Sequence, residues 1–564
     1  MIKKYSDFNN FLIFSVLISC YLNISLLSQT KTPKIKVVNL ISQGAIWIPD
    51  NEDGTYKNPI IYADYSDPDV IRVGEDYYMI SSSFSNFPGL PILHSKDLIN
   101  WKIIGHAADK YPIESFGQPQ HGSGIWAPSI RFHKGEFYVF FGDPDNGIFM
   151  TKTKNPIGPW EPLHLVKKVK GWIDPSPLWD DDGNIYLVHA WAKSRSGIKH
   201  IITINMLSAD CKEIIDEGKN VFCDSVKQNT MEGPKLYKRN GYYYIFAPAG
   251  GVKRGWQTVL RSKNIYGPYE AKIVLEQGST NINGPHQGAW VQTQTGEDWF
   301  IHFQDKYTYG RLVHLQPMHW ENNWPVMGAD FDKNGTGEPI LSFKKPNVAK
   351  SFPLFVPQTN DEFNSGRLGL QWQWEANFKQ EWSSLSSRKG WLRLFSQKLM
   401  PEAINLSGVS SLLMQKFPAQ KFSVSAKIEF NPKSVGEKTG LIVFGLDYSY
   451  IAIEKYEIGY KIMQITCTNA DKGSKEEMIA TVDYNDDKVF FKIDIEPEHD
   501  NDIIPKVICS FSFSTDGKNY KSLGKEFLAR EGKWVGAKVG LFSSTPAGSV
   551  NSGYVDFDWF RFSK

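Results

Sequence analysis

Short apolar runs, each led by a polar or aromatic residue and followed by a Gly-containing turn and an aromatic-rich run, recur five times between Asp64 and about Gly328. The first copy is Asp67-Pro68-Asp69-Val70-Ile71, a turn at Gly74-Glu75-Asp76, then Tyr77-Tyr78-Met79-Ile80. The others lead with Trp126-Ala127-Pro128, Asp174-Pro175-Ser176, Glu232-Gly233-Pro234 and His286-Gln287-Gly288, and each is followed by its own Gly turn and a second strand-like run. The lead positions are spaced 59, 48, 58 and 54 residues apart. Repeated hairpins of this size in an all-strand pattern predict propeller blades. Asp-Gly and Asn-Gly turns supply the positive φ that tight hairpins need, and Pro at a strand's start costs no ladder hydrogen bond. Five copies predict a five-bladed β-propeller over residues 40–340.

The pattern breaks after Pro325 into Lys333-Asn334-Gly335-Thr336-Gly337 and a Pro-containing stretch, read as a linker or strap over 341–360. From Asp361 to the end a second all-β pattern appears. Phe422 to Phe430 alternates with period two, as a half-buried antiparallel strand does, and Leu441 to Leu446 and Lys538 to Phe542 read as further strands. About 200 residues of this kind predict a β-sandwich over 361–564. No long amphipathic helix is expected in either half.

At the start of the chain, Lys3 and Lys4 precede an apolar run from Phe11 to Leu27 that is interrupted by Asn23 and serines. This reads as a signal peptide over residues 1–29, too short and broken for a membrane span. Leu17-Ile18-Ser19-Cys20 also has the form of a lipobox, which would leave Cys20 lipidated. The expectation is an exported chain, secreted or periplasmic, or else lipid-anchored at the cell envelope; such an anchor is the only membrane contact expected. No two of the remaining cysteines, Cys211, Cys223, Cys467 and Cys509, have CxxC spacing, so free thiols are expected rather than a zinc site or a disulfide scaffold.

The 564 residues are 41% apolar and carry a net charge of +2, which excludes global disorder and gives no electrostatic footprint for nucleic acid. The 18 Trp, 25 Tyr and 35 Phe suit sheet packing and also suit sugar rings. A propeller places the strand leads around one channel mouth. Asp67, Asp174 and Glu232, scattered along the chain, should therefore converge there with Trp126 and His286. A cluster of like-charged carboxylates is unfavourable unless the chemistry of a site demands it. Glycoside hydrolysis makes that demand. One carboxyl protonates the leaving oxygen and another activates water or attacks, while a third close to the acid holds its proton on.

The chain resembles glycoside hydrolase family 43. The resemblance rests on Ser66-Asp67-Pro68-Asp69-Val70-Ile71-Arg72-Val73-Gly74 with Tyr77-Tyr78, on Trp126-Ala127-Pro128, on Ile173-Asp174-Pro175-Ser176, on Glu232-Gly233-Pro234, on Gly284-Pro285-His286-Gln287-Gly288 and on Gly310-Arg311. Asp361-Glu362-Phe363, Leu370-Gln371-Trp372-Gln373-Trp374 and Asp556-Phe557-Asp558-Trp559-Phe560 are similar to the concanavalin-like C-terminal sandwich of its β-xylosidase-type members. The resemblance implies an exo-acting, inverting hydrolase that releases arabinofuranosyl or xylosyl units from oligosaccharides or polysaccharides such as xylan or arabinan. It implies Asp67 as general base, Asp174 as pKa modulator and orienter, and Glu232 as general acid, with Asp64 and Asp69 as weaker rivals to Asp67. Arg311 is implied as a donor to sugar hydroxyls, Phe84 and Trp126 as apolar pocket walls, and His286 as a residue beneath the pocket. No cofactor is implied as a requirement, and the one metal the resemblance allows is a structural calcium at the propeller centre, approached by His286 through water. Asp180-Asp181-Asp182-Gly183 lacks the alternating ligand spacing of a calcium loop and reads as a hairpin turn. A catalytically silent, carbohydrate-binding propeller is the alternative, and retention of all three carboxylates speaks against it.

Overall fold

The structure, a computed structural model, describes residues 45–564. The signal-peptide and lipobox readings, with Cys20, lie outside the described residues. Five consecutive four-stranded antiparallel sheets form the blades, and each uses its strands in chain order from the innermost outward. Their inner strands are Asp69–Val73, Trp126–His133, Trp172–Trp179, Lys235–Arg239 and His286–Gln292. Apolar side chains alternate towards the neighbouring blades, so Phe141, Val139 and Ile130 pack against Ile80 and Ile92 of blade 1. The ring closes by packing and by a short exchange of backbone hydrogen bonds between Ile61, just before blade 1, and Val313 of blade 5. Thr55–Lys57 pairs with Ser342–Lys344 beside that closure.

The hairpin turns form where Gly and Asn occur. Asn240 and Gly241 both take positive φ, 51° and 73°, as a tight two-residue hairpin requires. Asp180 to Asn184 is a turn closed by backbone bonds, with Asp180 paired to Lys238 rather than poised for a metal.

One finding corrects the expected register. The shared backbone feature is a residue with positive φ at the mouth of each inner strand: Asp67 (55°), Ala127 (30°), Asp174 (59°), Gly233 (63°) and Gln287 (32°). Blades 1 and 3 therefore agree with the sequence register, whereas Trp126, Glu232 and His286 stand one residue ahead of the common position. Left-handed backbone costs a non-glycine residue roughly 1–2 kcal/mol, and four of the five blades carry that strain. Its local effect is to turn the side chains of Asp67, Ala127, Asp174 and Gln287 into one pocket.

Residues 345–360 run along the outside of the propeller as a strap. Thr295 and Gln294 bond to its carbonyls at Asn347 and Val348, and Lys350 pairs with Glu75. Two sheets of eight strands follow and stack as a sandwich. Phe422–Asn431 is a strand whose burial alternates residue by residue, with Val424, Ala426 and Ile428 beside Val489 and Phe491 of the neighbouring strand and in one core with Leu441 and Val443 of the other sheet. The expected strands at Leu441 and Lys538 are observed as Lys438–Phe444 and Lys538–Thr545. The only α-helix among the described residues is Lys193–Ser196, and no helix there is long and apolar enough to cross a membrane. All four described cysteines are free thiols.

The sandwich is bound to the propeller by backbone. Phe87 and Trp374 exchange N–H···O bonds of 3.0 and 2.7 Å, and Asn377 bridges to Tyr111 and Phe116. Tyr62, Tyr309 and Leu312 of the propeller belong to the sandwich's hydrophobic core. This seam brings a sandwich loop, residues 531–537, to the mouth of the propeller channel.

Candidate active site

Asp67, Asp174 and Glu232 line a single pocket at that mouth with Phe84, Trp126, Gln287, Arg311 and Trp534. The cavity is small, about 80 Å³, and far from an open polymer-binding cleft.

Asp67 sits in the strained turn of blade 1. Ser82 Oγ donates to its Oδ2 at 2.5 Å, and Arg311 Nη1 lies 3.2 and 3.3 Å from its two oxygens. Ser82 is positioned in turn, since its Oγ accepts the N–H of Ala127 at 2.7 Å. A buried guanidinium and a hydroxyl thus orient one carboxylate at the pocket wall.

Asp174 is almost fully buried and accepts the Gly233 N–H at 2.7 Å, with Gln287 Nε2 at 3.4 Å. Burial pushes its pKa up to about 7; the Gly233 bond opposes that, and the negative charge of Asp67 adds to it. Glu232 precedes Gly233, so the same bond holds the main chain next to the Glu232 side chain. Gly233 is required here: a Cβ would lie 2.5 Å from Gln287 Cγ. Blade 4 therefore puts no side chain at the common position, and Glu232 enters the pocket from one residue earlier.

Glu232 is pushed up to about 8, first by burial and second by the charge of Asp174, with Arg311 opposing. Its side chain keeps 23% exposure, so it remains accessible from the pocket while holding a proton at neutral pH. The sequence reading assigned that effect to Asp174 alone. In the structure the apolar enclosure is the larger cause and Asp174 the next.

His286 is completely buried, its Nε2 3.4 Å from Glu232 Oε1 without a hydrogen bond. Burial lowers its pKa to about 3, so it is a neutral imidazole behind the acid, outside the pocket lining. Its neighbour Gln287 lines the pocket instead. Calcium takes six to eight oxygen ligands, and among the described residues no group of three or more His, Cys, Asp or Glu side chains converges to hold a metal. The residues around His286 do not fit a directly coordinated calcium ion.

The rivals to Asp67, Asp64 and Asp69, do not line the pocket. Asp64 accepts the N–H of Arg311 through Oδ1 and that of Gly536 through Oδ2, both at 2.9 Å. Asp69 is buried deeper in the channel, bound to Arg131 at 2.6 Å and to the Ile130 N–H at 2.8 Å.

Phe84 and Trp126 meet edge to face at 6.2 Å, and Trp534 continues the wall 6.1 Å from Trp126. Arg311 lies under this wall, 5.9 Å from the Trp534 ring. The sandwich supplies one pocket residue that the sequence reading did not name. Trp534 is that residue, and its only local signal is an aromatic between Gly532 and Gly536 outside any alternating strand.

Against known proteins, the model of Glycosyl hydrolases family 43 matches residues 56–325, and that of the Beta xylosidase C-terminal Concanavalin A-like domain matches 360–563. A putative beta-xylosidase of Xylanibacter ruminicola is 42% identical over 88% of this chain and 87% of its own. The chain belongs to glycosyl hydrolase family 43. Other family 43 relatives differ in named activity: a non-reducing end alpha-L-arabinofuranosidase of Bacteroides ovatus is 29% identical over 90% of this chain and 94% of its own. The solved xylan beta-1,4-xylosidase of Bacillus halodurans C-125 superposes with a TM-score of 0.79 at 25% identity, covering 90% of this chain and all of that one. Membership of family 43 makes the chain a glycoside hydrolase.

Proposed function

We propose that the chain is an exo-acting, inverting hydrolase that removes terminal xylosyl or arabinofuranosyl units from plant-type glycans. One observation carries the reading: a single pocket holds an ion-paired carboxylate, Asp67, together with a carboxyl, Glu232, whose pKa is raised to about 8. An inverting hydrolase needs that pair. Asp67 takes a proton from water as its oxygen bonds the anomeric carbon. The glycosidic C–O bond breaks, and Glu232 gives its proton to the leaving oxygen. Asp67 then returns a proton to solvent and Glu232 regains one, which resets the site.

Asp174 supports the acid twice, by fixing Gly233 and by opposing ionisation of Glu232. Arg311 holds Asp67 and offers its remaining N–H groups to sugar hydroxyls, while Phe84, Trp126 and Trp534 give the ring apolar faces. A silent sugar-binding propeller would gain nothing from burying two carboxyls at such cost. Export is part of the proposal, supported by the charged and apolar segments before residue 30.

The test is hydrolysis of nitrophenyl β-D-xyloside against nitrophenyl α-L-arabinofuranoside, with nitrophenyl hexosides as controls. Cleavage of at least one pentoside, with hexosides inert, is the expected result. Inert pentosides would overturn the reading.

A further inference from the structure

A second cavity, about 230 Å³, lies at the seam between propeller and sandwich and shares Phe84 with the catalytic pocket. Its walls include Phe84, Asn86 and His121 of the propeller and Glu375, Phe444 and Lys538 of the sandwich. It has room for several waters or one pentose ring.

The polar groups of this cavity are incompletely satisfied. Glu375 is fully buried; Lys538 donates to its Oε1, but Oε2 has no hydrogen-bond partner. His121 Nδ1 is 3.8 Å from that Oε2, too far for a hydrogen bond. His121 Nε2 is 2.8 Å from the carbonyl oxygen of Ser407, which can only accept, so Nε2 carries the hydrogen. Glu375 Oε2 is thus an unpartnered acceptor at the cavity wall, with the His121 ring beside it. Leaving a buried carboxylate oxygen unpaired is costly, so the arrangement is completed by a molecule that brings O–H groups.

The charges narrow the choice. Charges of both signs line the cavity, Glu375 and Asp471 against Lys533 and Lys538, so a cation and an anion would each meet like charge. A neutral polyol meets neither objection. A sugar hydroxyl can donate to Oε2, and Phe84 and Phe444 flank the same space with apolar rings.

We propose that this cavity is a second saccharide-binding site that holds one pentosyl unit against Glu375 and His121 and shares Phe84 with the cleavage pocket. That its sugar is a pentose rests on the function proposed above; the demand for a neutral polyol does not.

The test titrates xylobiose and arabinobiose into full-length Asp67→Asn protein, which cannot cleave them, with soaked crystals locating the rings. Two saturable binding events are expected, with one ring at Glu375. Ser407→Trp, which keeps the Ser407 carbonyl but plugs the rim, should remove the second event and leave the pocket event. Glu375→Gln, which keeps an acceptor for Lys538, should weaken the second event about tenfold. A single event that Ser407→Trp leaves intact would overturn the site. So would Glu375→Gln protein that keeps the parent's melting temperature and both affinities. Failure of the pentosidase reading looks different: no pentoside is cleaved and no pentose enters the pocket, whatever binds at Glu375.

Discussion

Asp64 joins the two domains at the active site: its Oδ2 accepts the N–H of Gly536 from the sandwich, while its Oδ1 accepts the N–H of Arg311 beside Asp67. Gly536 has no room for a side chain, since a Cβ there would lie 2.7 Å from Gly310 N and 2.8 Å from the Tyr309 carbonyl carbon. The loop that carries Trp534 is thus pressed by backbone onto the residue next to Arg311. Glycine is used here for close approach, not for a turn.

From this contact we expect Gly536→Ala to push the two loops apart and to raise KM for a pentoside roughly tenfold, since Trp534 and Arg311 both move. Asp64→Ala leaves two buried N–H groups unpaired, at about 1–3 kcal/mol each. Thermal unfolding should show a melting temperature lower by several degrees. Unchanged KM in both variants would show that the sandwich loop takes no part in the pocket.

Glu232→Ala should abolish cleavage of natural oligosaccharides, because an alkoxide leaving group needs a proton. Aryl glycosides with good leaving groups should keep far more activity. Parallel rate measurements on a xylo- or arabino-oligosaccharide and on a dinitrophenyl pentoside check this, and equal losses would remove Glu232 from the acid role.

The pH profile separates burial from charge. With Glu232 raised to about 8, the alkaline limb of kcat/KM should fall near that pH as the acid ionises. Asp174→Asn removes a negative charge at nearly constant shape, so the limb should shift downward by on the order of one unit. It should not reach the ordinary carboxylate range, because the burial that is the larger cause remains. A limb that stays in place would make Asp174 a substrate-binding residue only.

Stability carries the same signature. Between the ordinary Glu value, 4.5, and about 8 the native state holds a proton on Glu232 that the unfolded chain has lost. Unfolding in that window releases a proton, so raising the pH favours unfolding. Asp174, raised from 3.8 to about 7, acts in the same direction. Each group can cost on the order of 2–4 kcal/mol at pH 8. Glu232→Gln should therefore melt higher than the parent at pH 8 and no higher at pH 4, as scanning calorimetry at the two pH values would show.

The propeller and two of the three carboxylates were legible because Asp67-Pro68 and Asp174-Pro175 stand at the common strained position, where residue type and backbone agree. Glu232 was found by its own motif, but its offset of one residue was hidden. Only the positive φ of Gly233, and the Gln287 side chain that forbids a Cβ there, show that blade 4 works differently. The period-two strand at Phe422 could be read directly, because one buried face forces alternation. Trp534 could not, since its role comes from a contact between segments far apart in the chain and leaves no periodic trace.

The stereochemistry of the first product tests the central claim most directly. Proton NMR taken within the first minutes of hydrolysis, before mutarotation, should show a sugar of inverted anomeric configuration, with the rate falling by several orders of magnitude in Asp67→Ala whatever the leaving group. Initial product of retained configuration would contradict the account, making Asp67 or a neighbouring carboxylate a nucleophile in place of a base.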